Sequence, residues 1–170
     1  MTEDQKAFLE DEFFSLTLMA TVQRAGGYAA ERSDRERREF QRALRSRLET
    51  IAKTYKAPVL EERHIQNIEG LADTLSLEHA EVLANRRFRI GPAQKALNLY
   101  LKYLWCVGEI PMPPHCPCDF QIIRHLRTVR KIRWTDIDDI AVYRTLVQEA
   151  SMVANGMPLA LWELRTYNRA

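Results

Sequence analysis

The chain has 170 residues, a formal net charge of +2, and 46% hydrophobic and 28% charged residues. That is enough chain for one domain with a real core, and no run reaches the roughly 18 apolar residues of a membrane span. Three cysteines, an odd number, argue against a disulfide framework, and the acidic start "MTEDQKAFLEDEFF" lacks signal-peptide character, so a cytoplasmic protein with reduced thiols is expected.

Strand signals are nearly absent and helix signals recur. Phe8, Phe13, Leu16, Met19 and Ala20 follow a helical period over about 4–24, and "AGGY" breaks it. "SDRE", Ser33 to Glu36, is a capping box that opens a helix to about Lys56, with Phe40, Leu44, Leu48 and Ile51 on one face. A shorter helix is expected from Glu61 to about Leu71, and another from an N-cap at Ser76 to about Asn85. Pro92, after Gly91, starts an apolar helix through "AQKALNLYLKYLWC". The proline-rich loop "GEIPMPPHCP" follows, and Pro117 opens a helix to about Val129. Thr135 or Asp136 caps a long helix, and a last one follows Pro158. With no repeat, linker or low-complexity tract, the reading is a compact all-α fold: one helical domain, 1–170, of roughly eight helices.

Charge is distributed unevenly. From Arg86 to Arg133 there are ten Lys or Arg against Glu109 and Asp119 only, a balance of +8, while the rest of the chain carries −6. A basic middle in an acidic chain points to a polyanionic partner, with a solvated basic face as the alternative.

Within that segment, Lys95, Asn98 and Lys102 recur at helical spacing and form a polar stripe on an otherwise apolar helix. Such a lysine must reach water, pair with an acid or line a cleft. Burial lowers its pKa and makes the amine a nucleophile. Snorkelling of both stems to solvent is the competing reading. Further on, "CPCDFQIIRHL" places Asp119 in the first turn of a helix, where the dipole favours a carboxylate. His64 and His79 read as ordinary helix residues. His115 and Cys116 are adjacent, which makes tetrahedral closure awkward, so no metal is expected.

"RIGPAQK" followed by Pro-x-Asp opening a second helix resembles the helix-hairpin-helix DNA glycosylase superfamily over about 86–127. That family has a Gly-hydrophobic-Gly hairpin, a following lysine, and a later aspartate signature with an arginine; here Arg124 stands after Asp119. The sequence departs from the pattern in several places. Arg89 replaces the first hairpin glycine, Lys95 lies two residues further on than is usual, and Phe120 and Gln121 replace a Thr-His pair. In loop length the chain is similar to the archaeal oxoguanine glycosylase branch, and in compactness to bacterial antiphage glycosylases acting on glucosylated hydroxymethylcytosine.

The resemblance implies excision of a modified base from DNA, with Lys95 as amine nucleophile and Asp119 as the carboxylate that stabilises positive charge on the sugar. It implies a hairpin at Ile90 and Gly91 offering N–H groups to a phosphate, with Arg86, Arg87, Arg89, Arg124, Arg127, Arg130 and Lys131 supplying charge. The flipped base would meet Asn98, Lys102, Trp105, Phe120, Gln121 and Trp134. DNA is the expected partner, with no cofactor, no membrane and no required protein partner; three cysteines cannot hold a four-cysteine cluster. Oxidised-purine repair with strand cleavage, a non-catalytic DNA-binding module and a helical interaction protein are the alternatives.

Overall fold

The computed structural model describes residues 2–127 and 131–167. Helix α1, Glu3–Leu18, opens on a capping box in which Thr2 and Gln5 satisfy each other's backbone N–H groups at 2.8 and 3.2 Å. It runs into a π-helical turn, Met19–Gln23, and ends at "AGGY", where Gly26 takes φ +61°. Helix α2, Asp34–Lys53, starts where the capping box places it: the Ser33 N–H donates to Glu36 Oε2 at 2.9 Å. Phe40, Leu44, Leu48 and Ala52 form its buried row, one residue per turn.

Helix α3, Glu61–His79, replaces the two helices expected over 61–85. Ser76 does not cap a new helix. Its hydroxyl donates back to the Ala72 carbonyl at 2.7 Å and accepts the Phe88 N–H at 2.9 Å. The buried row Ile65, Ile68, Leu71, Ala72 and Leu75 crosses the expected break without interruption. Short 3-10 turns, Ala80–Val82 and Ala84–Arg86, then carry the chain to the next helix.

Helix α4 spans Ile90–Cys106 and is buried along most of its circumference, packed against α1, α2 and α3. It begins two residues before Pro92, so Gly91 lies inside its first turn rather than in a hairpin. Arg89 caps it with no side-chain hydrogen bond. The free N–H groups of that end are met from a distant segment instead: Ile90 donates to Asp138 Oδ1 at 3.3 Å and Gly91 to the Ile137 carbonyl at 2.8 Å. A Cβ on Gly91 would overlap the Trp134 carbonyl oxygen, so only glycine allows this approach.

Helix α5 is the single turn Phe120–Ile123. It begins later than Pro117 and stops earlier than expected, because His125 and Leu126 bond three residues back and tighten the chain out of the helix. A 3-10 turn, Trp134–Asp136, stands where the next helix was expected to open. Helix α6, Ile140–Ala154, is capped by Asp139, whose Oδ1 accepts the Ala141 N–H at 2.7 Å. It also packs on α4 and ends at Asn155 in the left-handed region. Helix α7, Leu159–Tyr167, follows Pro158 as expected. The fold is all-α, with seven α-helices among the described residues and one isolated bridge, Tyr28 to Leu83. No helix among the described residues is long and apolar enough to cross a membrane.

Candidate active site

Each polar residue of the α4 stripe finds a partner inside the fold. Lys95 is 4% exposed. Its Nζ lies 3.1 Å from Asp119 Oδ2 and 4.3 Å from the centroid of the Trp134 ring. Burial pushes the Lys95 pKa down; the Asp119 carboxylate opposes that shift, and the Arg24 guanidinium adds to it.

Asp119 is held from two directions. Its Oδ1 accepts the Gln121 N–H at 2.9 Å, making it the N-cap of α5, and Oδ2 turns to Lys95. The residue before it is fixed by Gln94, the neighbour of Lys95. The Gln94 amide donates to the Cys118 carbonyl at 2.8 Å and accepts the Cys118 N–H at 3.1 Å. This paired contact ties the aspartate loop to α4 beside the lysine. Sequence reasoning missed Gln94, since a glutamine on an apolar helix gives no sign of which distant backbone it will meet.

The expected base-pocket residues divide. Trp134 meets the pair through its ring, Gln121 through its backbone N–H, and Phe120 only adjoins Asp119 in the chain. Trp134 covers Lys95, Phe120 is 67% exposed next to Asp119, and Gln121 Oε1 is buried without a hydrogen-bond partner among the described residues. Trp105 is half-buried against the core cluster. Asn98 and Lys102 do not line a base pocket. Lys102 is buried in an ion pair with Glu163 at 2.7 Å, under the Tyr167 ring at 4.9 Å.

Asn98 is the centre of a buried hydrogen-bond chain. Its Oδ1 meets His64 Nε2 at 2.9 Å, and its amide donates to Gln94 Oε1 at 3.3 Å and to the Tyr143 hydroxyl at 3.2 Å. Beyond these, Tyr55 Oη bonds His64 Nδ1 at 2.7 Å, Asn67 donates to Tyr55 at 3.1 Å, Tyr143 Oη bonds His115 Nδ1 at 2.8 Å, and His115 Nε2 bonds Glu61 at 3.2 Å. One polarity satisfies every link. His64 Nε2–H donates to Asn98, so its Nδ1 accepts from Tyr55; Tyr143 donates to His115 Nδ1, so Nε2–H donates to Glu61. This pattern is that of two neutral imidazoles, the form that burial favours. Burial lowers the His64 pKa to about 3 and that of His115 to about 4, and the neighbouring His115 adds to the shift at His64. His64 is thus an organising core residue, not the ordinary helix residue that its position suggests.

The expected phosphate contacts also divide. The Ile90 and Gly91 N–H groups are consumed by Asp138 and Ile137, and both residues are buried, so they offer nothing to a phosphate. Arg86 pairs with Glu81, Arg87 with Asp73 at 2.7 Å and Asp138 at 2.9 Å, and Arg89 with Asp136 at 3.4 Å. Acids from outside the basic segment therefore fold back onto its first part. Arg124, Arg127 and Lys131 are exposed and have no ion-pair partner among the described residues. Arg130 lies outside the described residues. Cys106, Cys116 and Cys118 are free thiols, and no group of three or more His, Cys, Asp or Glu among the described residues could hold a metal ion.

No family model, no curated protein and no solved structure matches the chain.

Proposed function

We propose that the chain is a DNA glycosylase that removes a modified base with Lys95 and Asp119 as its reacting pair. The observation that carries this reading is the Lys95 to Asp119 contact: two residues from separate elements, singled out from the sequence for complementary roles, meet at 3.1 Å with the amine inside the fold. In this reading the Trp134 ring against Lys95 would supply a face for a flipped base, and Phe120 and Gln121, next to Asp119 in the chain, its further contacts. Arg124, Arg127 and Lys131 supply the phosphate contacts, without the hairpin.

In this reaction Asp119 accepts a proton from Lys95 and leaves a neutral amine. The amine nitrogen bonds to C1′ of the sugar as the C1′–N bond to the base breaks; the electron pair leaves with the base, which takes up the proton held on Asp119, and the secondary ammonium formed on Lys95 gives a proton to the ring oxygen as the ring opens. The restored carboxylate stabilises positive charge developing on the sugar. Opening of the sugar ring gives a Schiff base on Lys95, from which loss of a C2′ proton expels the 3′ phosphate and cuts the strand.

The test incubates the purified chain with duplexes carrying oxoguanine, uracil or glucosylated hydroxymethylcytosine, then cuts abasic sites with hot alkali. Alkali-labile sites on one of these substrates, lost in Asp119→Asn, support the reading. A second reading, a non-catalytic DNA-binding module, is favoured by the near-complete enclosure of the Lys95 side chain, 5% exposed. It expects binding that survives Asp119→Asn, and no alkali-labile sites on any of the three duplexes.

A further inference from the structure

A second polar site lies on another face of α4, between α1, α2 and the loop after α4. Its cavity, about 290 Å³, lies near the lower end of small-molecule sites. Tyr100 lines it, mostly buried, and its hydroxyl has no hydrogen-bond partner among the described residues but is not sealed off, so it opens on the cavity. Burial with Glu49 and Glu10 nearby raises the Tyr100 pKa to about 12, so the phenol is a neutral donor and acceptor. A hydroxyl at a cavity wall with no protein partner is free to donate to and accept from a bound molecule.

The charges around this hydroxyl can be paired off. Glu49 is bonded to Arg45 at 2.7 Å. Glu109 takes both Lys6 and Lys56 at 3.3 Å. Two lining charges remain without an ion-pair partner among the described residues: Glu10 on α1 and Lys53 on α2. Ala52, Leu104 and Ile110 supply the apolar wall. One carboxylate, one ammonium, one unpaired phenol and an aliphatic wall form a complementary set for a small zwitterion with an aliphatic body.

We infer that this cavity binds a free amino acid with an apolar side chain, its ammonium on Glu10 and the Tyr100 hydroxyl, its carboxylate on Lys53, and its side chain against Leu104 and Ile110. This site is independent of the Lys95 and Asp119 chemistry. The test is an amide NMR titration of the intact chain with leucine, and with isopentylamine and 4-methylpentanoate, which each lack one of its two charges. The expected result is saturable shifts around Tyr100 and Ile110 with leucine, and binding about tenfold weaker for each analogue. Tyr100→Phe and the surface change Glu10→Gln each weaken leucine by about tenfold as well. No saturable shift with millimolar leucine, or equal affinity of Glu10→Gln and the parent chain, overturns the assignment.

Discussion

Lys95 is a cation enclosed by one carboxylate and one ring, so its neighbours determine what it costs the fold. Asp119→Asn leaves a buried ammonium without its counter-charge, which destabilises by about 2–3 kcal/mol and lowers the amine pKa further. Urea denaturation of the variant checks the first effect. Gly91 is a sharper case, because a methyl group there meets the Trp134 carbonyl, a backbone atom that cannot rotate away. Gly91→Ala is expected to destabilise by about 3 kcal/mol, measured as a lower urea midpoint at unchanged slope. Lys95 stands out in the sequence as a lysine on an apolar helix, whereas Asp119 by itself reads as a helix cap and is paired with Lys95 only through the resemblance of the two motifs to the glycosylase pattern. Gln94, Tyr143 and His115 could not be singled out, since their roles depend on partners from other elements, such as the Cys118 backbone and the Asn98 amide.

At the scale of elements, the hydrogen-bond chain from Glu61 to Asn67 joins α3, α4, α6 and the proline-rich loop across the core. Its burial favours neutral imidazoles. The folded-state pKa values of His64 and His115, about 3 and about 4, lie below the unfolded value of 6.5. The unfolded chain therefore binds more protons between these values, and stability falls as pH drops from about 6.5 toward 3. Urea midpoints measured from pH 7 downward should decline over that window, and Asn98→Leu, which breaks the chain, should lower the midpoint already at pH 7. Helix starts with local caps were legible: Ser33 with Glu36 opens α2, and Pro158 precedes α7. Starts set by distant partners were not. Ser76 reads as a cap but bonds back to Ala72 and across to Phe88, and α4 begins at Ile90 because Asp138 and Ile137 cap it from another part of the chain.

The whole molecule redistributes charge that the sequence concentrates. The segment 86–133 carries +8 in the linear chain, but Glu81, Asp73, Asp136 and Asp138 fold onto Arg86, Arg87 and Arg89. Within that segment the exposed basic residues without an ion-pair partner among the described residues are Arg124, Arg127 and Lys131. Replacing these three by alanine should weaken duplex binding and reduce the dependence of log K on log salt by up to about 3, whereas Arg87→Ala should act mainly on stability. The all-α class was legible because helical periodicity and caps repeat along the chain. The charge neutralisation was not, because it depends on which acids the fold brings to which arginines.

Borohydride trapping addresses the proposed chemistry most directly. The chain is incubated with a modified duplex from which it releases the base, reduced with borohydride, and the cross-linked peptide is identified by mass. A Lys95 nucleophile gives a covalent adduct on Lys95, absent from Lys95→Gln. Base release without any trapped adduct, or an adduct on Lys102 or another lysine, would contradict that role.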